Sequence, residues 1–233
     1  MKLGLNKELE KAERFQDAAR ETIAKSLVSF IPGGGLFNLL FDGIKQEQFM
    51  QRYEEWEFLI EERLTKLENK TDTEVIENKQ FATALLTATP IMLKTAEIEK
   101  RKYLANGVVH SLDEDMDETT LIIFFNLLEK YTIWHFKMLL FFQNPLRHES
   151  ALSIYQGLQS ATLSPLQFFI KAYSAKAEQL DILRKIIKDL ETDGLILEGG
   201  WATTGMTKQG LADKRTRTFG DRFIDFILLD GKC

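Results

Sequence analysis

Apolar residues recur at helical spacing along most of the chain. Between residues 5 and 29, Leu9, Ala12, Phe15, Ala19, Ile23 and Leu27 share one side with charged residues between them, the pattern of an amphipathic helix. Pro32 and the run Gly33-Gly34-Gly35 end it, because proline removes a backbone donor and glycine disfavours helix. A second helix is expected from about Leu36. In "KQEQFMQRYEEWEFLIEERLTKLENK" its apolar face is marked by Phe49, Tyr53, Trp56, Leu59, Ile60, Leu64 and Leu67. After the polar stretch "NKTDTEVIENKQF" a long helical segment runs to about Asn106, and Pro90 is expected to kink or divide it.

The acidic connection "HSLDEDMDETT" leads into "LIIFFNLLEKYTIWHFKMLLFF", which is apolar nearly all round and is therefore assigned to the centre of the helical core. Glu129, Lys130 and Lys137 interrupt it, so its longest uncharged run is too short for a bilayer. The pattern then changes at "QNPLRHES", and a domain boundary is expected near 143–150. Shorter helices follow at about 151–158, 164–174 and 177–192, the second with Ser164 as N-cap before Pro165. Gly194 suits the left-handed end of a helix. Extended stretches at 194–199 and 203–207, joined by a turn at "EGG", predict a β-hairpin, and Phe219, Phe223, Phe226 and Ile227 predict a last helix.

Three helices, a hairpin and a helix form the order of a winged helix-turn-helix. The expected fold is therefore mainly α: an N-terminal helical bundle over 1–145, then a small winged helix-turn-helix domain over 146–233 with a short β-hairpin. If such a domain reads duplex DNA, the helix at 177–192 enters the major groove. Gln179, Arg184, Lys185 and Lys188 are its candidate contacts, and Lys208, Lys214, Arg215 and Arg217 are the candidate backbone contacts on or after the hairpin. The same side chains serve equally as contacts to a protein partner.

Charge weakens the DNA alternative. Residues 151–233 hold eleven Lys and Arg against ten Asp and Glu, leaving nineteen against twenty-five for residues 1–150. Neither half has the basic excess of most nucleic-acid binders. Glu178, Asp181, Asp189, Glu191 and Asp193 bring like charge towards any phosphate facing the helix. The single cysteine, Cys233, permits no internal disulfide and fits a reducing cytoplasm, and the first residues lack the apolar core of a secretory signal.

Residues 27–44, "LVSFIPGGGLFNLLFDGI", carry one charge, Asp42. No strand precedes the glycines and no Lys-Ser or Lys-Thr pair follows them, so they are not a phosphate loop. They suit a buried turn or an oligomer contact, and membrane insertion is the alternative. His110, His135 and His148 lack metal-ligand spacing, and no nucleophile elbow or calcium loop is present. No cofactor, metal or catalytic residue is expected.

"FIPGGGLFNLLF", "EIEKRKYLANGV", "IWHFKMLLFFQNP" and "LETDGLI" followed by "TFGDRFIDFI" resemble a group of poorly characterised bacterial proteins with an N-terminal helical domain and a C-terminal winged-helix-like region. The resemblance implies that fold and a bacterial or phage origin, and transfers no functional residue. The expectation is a non-enzymatic cytoplasmic regulatory or adaptor protein. Its partner is a protein or duplex DNA, homodimerisation is the further expectation, and a membrane is not expected. The alternative is a stress or phage-defence effector acting on membranes through 27–44.

Overall fold

The computed structural model describes residues 46–64, 75, 78–159 and 163–229. The helix expected at 5–29 and the apolar glycine-rich segment 27–44 lie outside them. The described chain is mainly α-helical. Its ten α-helices are α1 (Gln46–Leu64), α2 (Lys79–Lys94), α3 (Ile98–His110), α4 (Glu118–Lys130), α5 (Ile133–Gln143), α6 (Glu149–Gly157), α7 (Pro165–Tyr173), α8 (Leu180–Thr192), α9 (Lys208–Ala212) and α10 (Thr218–Ile227). Packing divides the chain into two compact units, Met1–Asn126 and Leu127–Cys233. The sequence pattern changes at 143–150, whereas packing groups α5 with the elements that follow it.

In the first unit α1, α2 and α3 pack on one another. Trp56 and Ile60 of α1, Ala84, Ala88 and Met92 of α2, and Leu104, Ala105 and Val108 of α3 are fully buried. The small residues let helices approach, and the Trp56 indole donates to Thr89 Oγ1 at 3.2 Å. The helix expected to be interrupted by Pro90 divides instead at Thr95–Glu97. Pro90 is exposed, so solvent rather than a packed neighbour surrounds the interrupted ladder there. The carbonyls at the end of α2 and in the turn take arginine donors. Arg52 reaches Leu93 O at 2.9 Å, and Arg101 reaches Thr95 O at 3.1 Å and Ala96 O at 3.3 Å.

In the second unit α5 packs against α8 and α10, and α6 against α7. The continuous apolar segment expected over 121–142 is broken: α4 ends at Lys130, and Thr132 begins α5 in an extended conformation. This break turns Tyr131 into the core, where its ring meets Phe136 and Phe223 edge-on. Ser164 caps α7 as expected, with Pro165 next and Gln167 closing the reciprocal bond to Ser164 N at 2.8 Å. Gly194, at φ 73°, ends α8.

The expected hairpin is not formed by 194–199 and 203–207. The backbone pairing joins 195–197 to 215–217 instead. Leu197 N donates to Arg215 O at 2.8 Å and Arg217 N to Leu195 O at 2.9 Å, around an isolated antiparallel bridge between Ile196 and Thr216. No longer strand occurs among the described residues. The expected second strand, 203–207, leads instead into α9, which Thr207 caps with its hydroxyl accepting from Gly210 N at 3.1 Å.

The bridge brings α10 against the end of α8 with no room to spare. A Cβ on Gly220 would stand 2.1 Å from Leu195 O, a backbone atom that cannot move without breaking the pairing. Gly220→Ala is expected to destabilise the protein by about 1–3 kcal/mol, the usual cost of overpacking, read as a lowered urea midpoint. An unchanged midpoint would show that the bridge yields easily.

Candidate functional site

α8 has one buried stripe and one solvent face. Leu183, Ile186, Ile187 and Leu190 are buried, and Asp181, Ile182, Arg184, Lys185 and Lys188 are exposed. Each α8 cation proposed for DNA has a carboxylate beside it on the same helix. Arg184 meets Asp181 at 3.2 Å, Lys188 meets Glu191 at 3.5 Å, and Lys185 bonds Asp189. Gln179 lies in a short 3-10 turn ahead of α8, and its side chain accepts from Lys176 N at 2.9 Å.

The cations after α8 are also engaged. Lys208 donates to Leu158 O at 2.7 Å and lies over the Tyr155 ring, and Lys214 pairs with Asp221 at 2.6 Å. Arg217 Nε donates to Ile196 O at 3.1 Å. Arg215 is no surface contact at all: it is 2% exposed. Its guanidinium lies between the Phe142 and Trp201 rings and donates to the carbonyls of Gly210 and Asp213. Burial pushes this guanidinium below its ordinary value, with Asp213 acting in the opposite direction.

The segment between the bridge strands does not project as a wing. Leu166 N donates to Trp201 O at 3.0 Å, Met206 N to Leu163 O at 2.9 Å, and Ser164 Oγ to Ala202 O at 3.2 Å. Residues 201–206 are thus laid along the start of α7. The Trp201 indole donates to Leu197 O at 2.6 Å, so the expected wing tip is tied back at its own base.

A second cluster, not anticipated from sequence, joins the start of α5 to the end of α8. Tyr131 donates to Asp193 Oδ2 at 2.6 Å, and Lys130 pairs with the same carboxylate at 2.6 Å. The Tyr131 hydroxyl is held well above its ordinary value by burial and by Asp193. The His135 ring stacks on Tyr131 at 4.6 Å. His135 Nδ1 accepts from Thr132 N at 3.2 Å, which leaves its proton on Nε2, facing Asp189 at 3.5 Å. Burial lowers the His135 value despite Asp189. Burial would raise Asp189, but the bonds from Lys185 and His135 outweigh it and leave its carboxyl below the usual range.

The legible signals here were the spacing Thr132-x-x-His135 at a helix start and Asp189 four residues before Asp193. The other histidines do not join them. His110 bonds Asp113 at 2.8 Å in the first unit, and His148 lies against Tyr173. Among the described residues no group of three or more His, Cys, Asp or Glu is placed to hold a metal ion. No known family, curated protein or solved structure matches the chain.

Two outcomes follow from these contacts. His135 is held neutral, so between its folded value and the unfolded value of about 6.5 the unfolded chain binds more protons. Its stabilising contribution is present above about pH 6.5 and is lost as pH falls. His135→Gln keeps an acceptor for Thr132 N without titrating, and is expected to flatten the loss of stability measured by urea unfolding between about pH 7 and pH 5. Arg215→Ala removes two charge-assisted bonds and is expected to cost about 2 kcal/mol or more in the same assay. A loss no larger than that of an exposed-lysine variant would show that the guanidinium is dispensable.

Proposed function

We propose that this is a non-enzymatic regulatory or adaptor protein whose C-terminal unit docks a protein partner through the solvent face of α8. On this reading α6, α7 and α8 with the bridged segment form a winged-helix-like arrangement whose wing is turned inward. The observation that carries it is the internal engagement of every candidate DNA contact. A lysine must give up its carboxylate to meet a phosphate and leaves that like charge beside the DNA, so each such contact gains less than an unpaired cation would. The inward wing also leaves no loop to enter a groove beside α8.

Protein docking is favoured by what remains exposed. Ile182 is 59% exposed in the middle of mixed charges on α8, and Leu197 is 44% exposed just beyond it. Isolated apolar residues within a polar rim suit a modest protein interface. No helix among the described residues is long and apolar enough to cross a membrane.

Titration into fluorescent genomic-fragment duplexes tests the choice. Weak binding at low salt, unchanged by Lys185→Glu with Lys188→Glu, is expected. Tight, steeply salt-dependent binding that this pair abolishes would overturn protein docking in favour of DNA. A photo-crosslinking amino acid at position 182 supplies the positive arm: a discrete protein adduct is expected in the native cell, and a nucleic-acid adduct would sink the proposal.

A further inference from the structure

Phe58 of α1 is 65% exposed, the most exposed large apolar side chain among the described residues. It does not fringe the core. At 100° per residue, the buried Tyr53, Trp56 and Ile60 fall on the opposite side of the helix. Its neighbours on the helix surface, at i−4, i−3, i+3 and i+4, are Glu54, Glu55, Glu61 and Glu62. An aromatic ring is therefore fenced on both helical turns by carboxylates.

Among the described residues, arginines lie beside Glu55 and Glu62, and both acids keep access to solvent. Glu55 bonds Arg101 and Glu62 meets Arg63 at 3.4 Å, with side-chain exposures of 44% and 41%. The fence is also felt on the flank of the helix. Burial pushes the Glu57 carboxyl above its ordinary value against the opposing bond from Tyr53, and the charges of Glu54 and Glu61 add to the rise. Like charges at helical spacing oppose one another unless a cation lies among them.

The chemistry of this face selects its occupant. Nucleic acid and anionic lipid are both repelled by the acids. An uncharged apolar partner would cover the ring but desolvate the carboxylates without recompense. A cation is attracted both by the acids and by the negative face of the ring. We infer that the Phe58 face of α1 is a docking surface for a cationic amphipathic segment of a protein partner, its apolar side covering the ring and its lysines or arginines meeting the glutamates. The face belongs to the first unit, and the inference does not depend on what α8 binds.

The test uses the full chain and a fluorescein-labelled helical peptide of lysine and leucine at amphipathic spacing, about eighteen residues or five turns long. A glutamate and leucine peptide of the same pattern is the counterpart. Anisotropy is expected to show salt-sensitive binding of the lysine peptide alone. Phe58→Ser should weaken it at least about tenfold, the factor expected for losing a covered phenyl ring. Glu54→Lys with Glu61→Lys should shift the preference to the glutamate peptide. Glu114→Lys with Asp115→Lys makes the same change of net charge in the exposed acidic loop and should leave binding nearly intact.

Equal losses in the Glu54/Glu61 and Glu114/Asp115 variants would overturn the inference by reducing it to bulk electrostatics. So would binding indifferent to Phe58→Ser, or failure of the lysine peptide to bind. Circular dichroism melting should be unchanged by Phe58→Ser, and a marked drop would make Phe58 a packing residue and equally overturn it. Lys185→Glu with Lys188→Glu should not alter peptide binding, so failure on α1 and failure on α8 remain distinguishable.

Discussion

A helix that is apolar over most of its surface has to be covered on most sides, and α5 imposes that demand on the C-terminal unit. His135, Phe136, Met138, Leu139, Phe141 and Phe142 are all buried along it. Covering one phenylalanine is worth roughly 1.5–3 kcal/mol, so the ring cluster of Phe141 with Phe168 and Phe169 outweighs any surface ion pair in the unit. The amphipathic elements are used accordingly. α8 gives it Leu183, Ile186, Ile187 and Leu190, and α10 gives it Phe223, Ile224, Phe226 and Ile227 as the apolar stripes of the unit. What remains of α8 is a solvent face of mixed charge around Ile182.

Covering an apolar helix raises a second demand at its ends, where backbone groups lose their helical partners. The start of α5 is met by Thr132 and His135; His135 reaches Asp189 and stacks on Tyr131, which donates to Asp193. At its other end Arg215 N donates to Phe142 O at 2.8 Å, while the Arg215 side chain gathers the carbonyls of Gly210 and Asp213. The segment that a winged helix would extend into a groove is used here to close the core. Inward anchoring of that segment thus follows from the packing of α5 and its neighbours, whereas the charges on α8 are neutralised locally, by acids three or four residues away on the same helix.

How much of this could be read in the sequence follows from how local each signal is. Helical spacing announced α1, α7, α8 and α10, and Ser164 and Gly194 marked their own positions because a cap and a left-handed glycine act within a few residues. The ion pairs of Arg184, Lys185 and Lys188 were present in the spacing of α8, three or four residues from each acid. Nothing local distinguished Arg215 from the exposed cations near it, since its burial depends on Phe142 and Trp201, both far away in the chain. The hairpin was misplaced for the same reason: the partner of Ile196 is Thr216, chosen by tertiary packing after Thr207 had started a helix between them. The break between α4 and α5 falls at the charges Glu129 and Lys130, which were visible in the sequence, but the apolar runs on both sides record burial and not direction.

The two ends of α5 are held by groups of different chemistry, and that gives the unit a direction in which it comes apart. A guanidinium keeps its proton across any pH a folded protein meets, so the Arg215 anchor answers only to agents that loosen packing. An imidazole in a neutral, buried position is released by acid instead. Acid therefore acts on the Thr132 end of α5, where burial opposes a charged His135, and leaves the Arg215 end untouched. The Tyr131–Asp193 and His135–Asp189 contacts that tie α5 to the end of α8 are thus the acid-sensitive side of the unit, and the 201–206 segment is its acid-indifferent side.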